Sequence, residues 1–217
     1  MQNYVITIAR GFGSGGKDIG MRLSKELGIP CFDRQILTMA SDKSGIDESV
    51  FVETNEKLRG KYIANFLRKI PVTGVLEPWE KDFVSDINVF NIQAELIRSL
   101  ASTQSCIIIG KCADDILREY KNVISIYIEA PRSACVNSIQ EKMHVTAERA
   151  HQLIRSTDKY RAKYYSYYTG GKDWTNPTNY DLVLNSDRIG RENCVKLIKD
   201  YINIKFGTDE QPRKEGI

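Results

Sequence analysis

The residues with the clearest chemical potential form a glycine-rich segment near the start of the sequence. Residues 8–20 read Ile-Ala-Arg-Gly-Phe-Gly-Ser-Gly-Gly-Lys-Asp-Ile-Gly, and the spacing of Gly11, Gly16 and Lys17 matches the G-x-x-x-x-G-K pattern of a P-loop. Glycines reach backbone conformations closed to other residues, so successive N–H groups can converge on an anion at a helix start. Lys17 would add a positive charge against the β- and γ-phosphates of a nucleotide. The predicted nucleotide-binding residues are Gly11, Phe12, Gly13, Ser14, Gly15, Gly16, Lys17, Asp18 and Ile19.

Two other interpretations of these glycines stay open. Gly11, Gly13 and Gly16 also match G-x-G-x-x-G, the dinucleotide-binding pattern, in which Asp33 would be the ribose ligand. Lys17 has no natural role beside a dinucleotide pyrophosphate, which favours the P-loop. The other alternative is a glycine-rich turn that binds nothing. Because an apolar strand pattern precedes the loop and a helical pattern follows it, the context favours phosphate binding.

A second group of chemically active residues lies at positions 155–161. Arg155, Asp158 and Arg161 recur every three residues, which we expect to place them along one side of a helix. An aspartate can hold neighbouring guanidinium groups in fixed directions, and arginines stabilise charge on a transferring phosphoryl group. We therefore predict catalytic roles for these three residues together with Lys17. A solvated helix with weak surface ion pairs is the alternative.

Aromatic and histidine residues near this segment suggest two further kinds of site. Tyrosines occupy positions 164, 165, 167 and 168, and such a run can stack on nucleic-acid bases. No wider basic stripe accompanies them, so we expect them to pack the helix and flank a nucleotide, with no nucleic-acid partner. His144 and His151 lack acidic or cysteine partners at ligand spacing, which disfavours a metal site there.

The elements that position these residues can be read from apolar runs. Continuous runs at residues 4–8, 30–33, 106–109, 123–128 and 180–184 are typical of strands covered on both faces. Helical spacing at residues 92–100 and 194–202 predicts helices between and after the strands. We predict an α/β fold with a doubly wound parallel sheet of about five strands. The glycine loop, Asp33 and Lys111 follow strand ends, where such sheets bind ligands.

Two regions interrupt this pattern within a single predicted domain over residues 1–206. Residues 41–89 are charged and irregular and are expected to form an inserted lobe of short helices. Residues 144–174 are expected to form a long polar and aromatic helix that ends at a Gly-Gly turn. The tail at 207–217 has no apolar face and is predicted to be disordered.

The composition of the chain disfavours general polyanion binding, membrane insertion and secretion. The chain has 217 residues, 41% of them hydrophobic, and a formal net charge of +3, which gives no general affinity for polyanions. No apolar stretch is long enough to span a membrane, and we expect no signal peptide because a strand pattern begins at residue 4. Five cysteines without a C-x-x-C pair predict reduced thiols and a cytoplasmic protein without a membrane partner.

Several motifs together resemble one family. They are Phe-Gly-Ser-Gly-Gly-Lys-Asp-Ile-Gly at 12–20, Gly-Ile-Pro-Cys-Phe-Asp at 28–33, Ile-Ile-Ile-Gly-Lys-Cys-Ala at 107–113, Asp-Lys-Tyr-Arg at 158–161 and Asn-Tyr-Asp-Leu-Val-Leu-Asn at 179–185. In these residues the chain resembles the cytidylate kinase-like family, within the P-loop nucleoside monophosphate kinases. The resemblance implies a kinase core, an acceptor-binding lobe at 41–89 and a lid at 144–174. It also implies ATP with Mg²⁺ and transfer to a nucleotide-like acceptor.

The sequence departs from this resemblance around the phosphates and the acceptor. Asp18 and Ile19 stand where these kinases usually carry Gly-Thr, so the hydroxyl that helps the metal is missing. Asp18 either approaches Mg²⁺ itself, directly or through water, or stabilises the helix start. Lys111 stands where the resemblance leads one to expect arginine, which keeps the charge but loses the bidentate fork.

We therefore predict ATP-dependent phosphoryl transfer to a small acceptor, with a nucleoside monophosphate as the expected class. Predicted substrate contacts are Asp33, Arg34, Lys111 and Asp181, the last reading the base or sugar of the acceptor. One alternative is a nucleotide-binding regulator with weakened catalysis, and another is a kinase of a non-nucleotide small molecule. The sequence leaves open the acceptor and whether the protein is a monomer or a homo-oligomer.

Overall fold

A five-stranded parallel sheet organises the computed structural model, which describes residues 3–50 and 85–207. The strands are β1 (Val5–Arg10), β2 (Cys31–Phe32), β3 (Cys106–Ile109), β4 (Val123–Glu129) and β5 (Leu182–Asn185). Their order across the sheet is β2-β3-β1-β4-β5, and each neighbouring pair is parallel. The predicted α/β fold with about five parallel strands is confirmed.

Helices cover both faces of the sheet. They are α1 (Gly16–Leu27), α2 (Gln35–Ser44), α3 (Asp86–Thr103), α4 (Ala113–Ile116), α5 (Arg132–Met143), α6 (Ala147–Tyr168), α7 (Ser186–Ile189) and α8 (Arg191–Phe206). A 3₁₀ turn, Pro177–Asn179, precedes β5. The described residues include no helix with the length and apolar character needed to cross a bilayer.

The continuous apolar runs of the strands follow from this double coverage. Successive side chains of a strand point to opposite faces, so both sets must be apolar when both faces are buried. Ile6 and Ile8 of β1 pack in one core with residues of α1 and α8. Val5 packs in another core with residues of α2 and α3. The sheet is therefore a rigid platform whose strand ends position the loops.

Helix α6 carries the second group of chemically active residues. It begins after Thr146, whose side chain accepts a hydrogen bond from the N–H of Arg149, a typical N-cap. Near its start, Ile154 packs with α5, and near its end Tyr164 and Tyr165 join an aromatic core. Two glycines with positive φ follow the helix, as the sequence suggests. The helix is thus held by apolar contacts in both its first and its second half.

Several regional predictions fall partly outside the described residues. Of the predicted inserted lobe, only residues 41–50 and 85–89 are described, and their ends belong to α2 and α3. Residues 51–84 and 208–217 lie outside the description. The acceptor-binding role of the insert, the lid role of 144–174 and the disordered tail stay predictions.

Candidate active site

The glycine loop lies at the carboxyl end of the central strand. The chain leaves β1, forms the loop and enters α1, with β3 on one side of β1 and β4 on the other. From β1 the chain runs to β2 at one edge, whereas β3 is followed by β4 across the sheet. Ligands of such sheets bind where the connections diverge in this way. A cavity of about 770 Å³ opens there.

Two glycines give the loop its shape. Gly13 and Gly15 have φ values of 92° and 82°, in the left-handed region that favours glycine. A Cβ atom at Gly13 would collide with the backbone of Cys135, so the loop lies directly against α5. Ser14 is buried, and its Oγ lies 2.9 Å from the carbonyl oxygen of Gly11 and 3.0 Å from that of Ile128. Ser14 therefore fixes the loop to β4, and its hydroxyl is committed to that task.

Helix α6 is docked on the loop through backbone groups. The N–H of Phe12 donates a hydrogen bond of 2.8 Å to Oδ1 of Asp158. Arg161 donates from Nη1 to the carbonyl oxygen of Arg10 at 2.8 Å, and its guanidinium lies 5.6 Å from the Phe12 ring centroid. Arg161 and Asp158 also form an ion pair of 3.6 Å. The predicted lid residues Asp158 and Arg161 thus meet the predicted phosphate loop.

Arg155 does not join them. It is exposed and is absent from the residues that line the cavity, whereas Arg161 is among them. An α-helix turns by about 100° per residue, so positions six apart point about 120° away from each other. The expectation that all three residues share one side of the helix is therefore corrected for Arg155, and the mechanism proposed below gives it no catalytic role.

Positive charge is concentrated around Asp33, next to the loop. Lys17 Nζ lies 3.0 Å from one carboxylate oxygen of Asp33, and Arg10 Nη2 lies 3.5 Å from the other. Lys111 and Arg34 line the same part of the cavity. Burial, and next the charge of Arg161, lowers the pKa of Arg10 to about 9. One carboxylate thus faces several cations, an arrangement that favours binding of an anion.

The loop that presents Lys111 has an unusual backbone. Gly110, Lys111 and Cys112 have φ values of 73°, 61° and 54°, so three successive residues are left-handed. Each non-glycine residue in this region costs roughly 1–2 kcal/mol. Burial, and next the charge of Arg10, lowers the pKa of Lys111 to about 8. Such strain persists mainly at functional sites, and here it places Lys111 on the cavity wall.

An aromatic wall with a buried carboxyl group completes the cavity. Tyr160, Tyr164, Tyr165 and Trp174 line it, and Asp114 lies among them. Asp114 is only 7% exposed and accepts a hydrogen bond of 2.7 Å from the Tyr165 hydroxyl. Burial raises the pKa of Asp114 to about 6. Sequence reasoning missed Arg10, Asp114 and Trp174, although Arg10 directly precedes the loop and Asp114 closely follows β3.

Comparison with known proteins identifies the family. Residues 5–188 match the cytidylate kinase-like family. The chain belongs to this family. A curated relative, a cytidylate kinase from Saccharolobus islandicus, is 28% identical over 125 residues, which are 57% of this chain. The match spans 64% of that relative, slightly less than two thirds of its length.

Two solved structures share the fold of this chain. An uncharacterized protein from Eubacterium ventriosum has a TM-score of 0.67 at 22% identity, covering 93% of this chain and 99% of that one. A shikimate kinase from Bacteroides thetaiotaomicron has a TM-score of 0.51 at 12% identity, covering 92% and 98%. These likenesses establish a shared α/β fold, and they carry no conclusion about the substrate of this chain.

The contacts of Asp18 differ from those predicted for a metal ligand in this cytidylate kinase-like protein. Its Oδ2 accepts hydrogen bonds from Lys142 at 2.5 Å and from Arg191 at 2.7 Å. Among the described residues, no group of three or more His, Cys, Asp or Glu side chains could hold a metal ion. Mg²⁺ in kinase sites is held largely by substrate phosphates and water. The ion-paired Asp18 does not fit a metal ligand, and magnesium is best treated as part of the nucleotide substrate.

Ile19 and Asp181, which were predicted to contact the nucleotide and the acceptor, are not among the residues that line the cavity. Ile19 is fully buried in the core, and its N–H donates to the carbonyl of Gly15, so neither group faces a nucleotide. Asp181 precedes β5 at its amino end, and its Oδ2 accepts from the N–H of Ser125 and from Lys205. The phosphate loop lies at the opposite end of the strands. We therefore assign structural roles to Ile19 and Asp181 in place of the predicted binding roles, and the function proposed below uses neither residue.

Proposed function

We propose that this protein transfers the γ-phosphoryl group of ATP to a small acceptor, and that the acceptor is a nucleoside monophosphate. The observation that carries the proposal is that the glycine loop, Lys17 and Arg161 line one cavity together with the cationic cluster around Asp33. Membership of a kinase-like family supports the reaction class. The acceptor class is supported by the chemistry of the cavity.

The donor side would bind the magnesium complex of ATP. The loop amides and the start of α1 favour polyphosphate, because N–H groups and the helix dipole both attract negative charge. Lys17 is 60% exposed and paired with Asp33, so an incoming phosphate can draw it away from that partner. Phosphoryl transfer relies on positioning and on charge stabilisation, so the protein needs no covalent intermediate.

The acceptor side combines a cationic region with an apolar wall. Arg10, Arg34 and Lys111 suit an anionic group such as a phosphate. Tyr160, Trp174 and the buried Asp114 suit a planar ring that carries N–H donors. A nucleoside monophosphate has both features, whereas a sugar has no planar ring. This combination favours a nucleotide acceptor over a purely hydroxylated one.

The chain's own residues would act in a simple sequence. An acceptor phosphate oxygen attacks the γ-phosphorus, the bond to the β–γ bridging oxygen breaks, and ADP leaves with that oxygen. Lys17 and Arg161 stabilise the charge that develops on the transferred group. Asp158 holds the N–H of Phe12 and pairs with Arg161, so it keeps the arginine over the loop. Closure of α6 against the loop also excludes water, which would otherwise compete with the acceptor.

An acceptor panel tests the proposal. Purified protein is incubated with ATP, MgCl₂ and each common nucleoside monophosphate, with shikimate and gluconate as non-nucleotide acceptors, and ADP release is measured. We expect turnover with at least one nucleoside monophosphate and none with the other two compounds. Turnover only with a non-nucleotide acceptor would contradict the acceptor class. ATP binding without transfer to any acceptor would favour the nucleotide-binding regulator.

A further inference from the structure

The ion pairs of Asp18 join three separate elements at the end of the phosphate loop. Asp18 is on the first turn of α1, Lys142 is on the last turn of α5, and Arg191 is the first residue of α8. Both cations contact the same oxygen, Oδ2 of Asp18. Arg191 also donates from Nη2 to the Ser138 hydroxyl of α5 at 3.2 Å. One guanidinium thus bridges α1 and α5.

Arg191 also lies directly against the loop. A Cβ atom at Gly15 would lie 2.5 Å from Nε of Arg191, so a side chain at this position would displace the guanidinium. Gly15 is the N-cap of α1, and helix N-termini of this kind favour anions. Arg191 lies outside residues 5–188, the part of the chain that matches the family. Its position follows from the geometry of this chain alone.

Asp18 presents an electrostatic difficulty at this point. A carboxylate directly after the P-loop lysine would repel a triphosphate, whereas the uncharged glycine that the resemblance leads one to expect at this position would not. Two cations on one oxygen reduce that repulsion, and charge pairs in a partly buried site interact more strongly than in water. The side chains of Asp18 and Arg191 are about one-third exposed, at 34% and 33%. Pairs with such exposure add little to folding stability, so breaking this pair is expected to leave the protein folded.

We propose that Arg191 is a positioning residue for the nucleotide site. It neutralises Asp18 and holds the Gly15 end of the loop, with Lys142 as a second, more exposed partner. Asp18 and Arg191 together thereby position the end of the loop at the start of α1, where these kinases usually carry Gly-Thr. This inference rests on the proposed function, because it requires that the loop bind ATP.

The test is a charge-rescue experiment on MgATP binding by calorimetry. Arg191→Ala leaves Asp18 with one partner, and we expect binding to weaken about tenfold, equivalent to about 1.4 kcal/mol. Asp18→Asn in the Arg191→Ala background removes the carboxylate charge and should return the affinity to within about twofold of Asp18→Asn alone. Arg191→Lys should retain most of the affinity, because it keeps the charge.

Lys199→Ala is the matched control. Lys199 on α8 pairs with Glu26 on α1 at 2.8 Å, so the variant breaks an ion pair between the same two helices away from the cavity. It should bind MgATP as the wild type does. Thermal unfolding of all variants, without nucleotide, checks that each is folded and that the loss of stability is small.

The outcomes separate the inference from the proposed function. Wild-type protein that does not bind MgATP would overturn both. Wild-type binding with unchanged affinity in Arg191→Ala would overturn only the inference. Weak binding by Arg191→Ala that Asp18→Asn does not rescue would show that Arg191 supports packing and does not act through the charge of Asp18, which also overturns the inference.

Discussion

The chemistry of individual residues depends on which charges are paired before a ligand arrives. Lys17 is paired with Asp33, Asp18 with Lys142 and Arg191, and Asp158 with the loop N–H of Phe12. Lys17 and Arg10, the partners of Asp33, both line the cavity, whereas Arg191, a partner of Asp18, does not. The residues beside Asp33 are therefore the ones ready to bind an anion.

Replacement of Lys17 tests the residue on which the proposed reaction depends most. Lys17→Ala should lower kcat by about 100- to 1,000-fold, because a positioned cation is lost from the developing charge. Folding should be unaffected, since the side chain is 60% exposed. Lys25→Ala is the control, because Lys25 is an exposed lysine on the same helix. Steady-state kinetics and circular dichroism measure both effects, and near-normal turnover in Lys17→Ala would exclude this role.

The pKa of Lys111 predicts a pH dependence for the acceptor. Burial lowers this pKa to about 8, so Lys111 loses its charge as the pH rises through 8. The KM of an anionic acceptor should therefore increase above about pH 8, whereas below it the charge is present. Lys111→Arg should move this increase to higher pH, because the ordinary pKa of arginine is higher than that of lysine. An identical alkaline limb in Lys111→Arg would assign the titration to another group.

The lowered pKa of Lys111 also determines whether the free energy of unfolding rises or falls with pH. Lys111 has a lower pKa in the folded protein than the ordinary value of 10.5, so between these two values the unfolded chain binds more protons. The contribution of Lys111 to the free energy of unfolding should therefore increase as the pH rises from about 8 to 10.5. Comparing urea unfolding of the wild type and Lys111→Met across this range isolates that contribution. The free energy of unfolding of the wild type minus that of Lys111→Met should rise with pH, and a fall in this signed difference would be contrary to the prediction.

At the level of elements, α6 decides which arginine reaches the site. The helix is anchored by Ile154 near its start and by Tyr164 and Tyr165 near its end, and this fixes the side it turns toward the loop. Arg161 bonds to the backbone of Arg10, whereas Arg155 is exposed. The structure thus distinguishes two residues that the sequence treats as equivalent.

Paired variants test this distinction. Arg161→Ala should lower kcat by about 1,000-fold or more, the range found for arginines that stabilise a transferring phosphoryl group. Arg155→Ala should change kcat by less than about threefold, an effect typical of exposed side chains. Rapid-quench measurement of the chemical step separates these effects from product release. Equal losses in both variants would mean that α6 rotates or shifts during the reaction.

Particular residues show how far the sequence predicts this arrangement. The five strands and the loop were predictable, because apolar runs and glycine spacing are local signals. The placement of Arg155 failed because three-residue spacing drifts around a helix of 3.6 residues per turn. Asp181 was misplaced because it precedes β5 and lies at its amino end. The pair of Asp18 and Arg191 spans 173 positions and leaves no local pattern.

For the molecule as a whole, the fold provides a well-packed sheet, and the residues proposed to bind and react with the nucleotide lie at the carboxyl ends of its strands. The fully buried isoleucines of the central strands form two cores, and neither core includes the cationic residues of the cavity. Ligand binding can therefore rearrange Lys17 or Arg161 without disturbing either core. Stability and reactivity are spatially separated in the described residues.

Ligand binding should consequently stabilise the whole domain. At a MgATP concentration of about 100 times Kd, the free energy of unfolding should increase by about 2.7 kcal/mol. For a domain of roughly 200 residues, this corresponds to a rise in Tm of about 5–11 °C, at about 2–4 °C per kcal/mol. Differential scanning calorimetry measures the rise, with magnesium chloride alone as the control. An unchanged Tm at saturating MgATP would contradict a binding site in the folded state.

Calorimetric titration of MgATP into the wild type and Lys17→Ala tests the central claim most directly. The account predicts one site per chain in the wild type and an affinity at least tenfold lower in the variant, a loss of about 1.4 kcal/mol. Wild-type protein that is folded and yet releases no heat with ATP or GTP in the presence of magnesium would contradict it. Equal affinity in the two proteins would also contradict it, because the glycine loop would then not be the phosphate site.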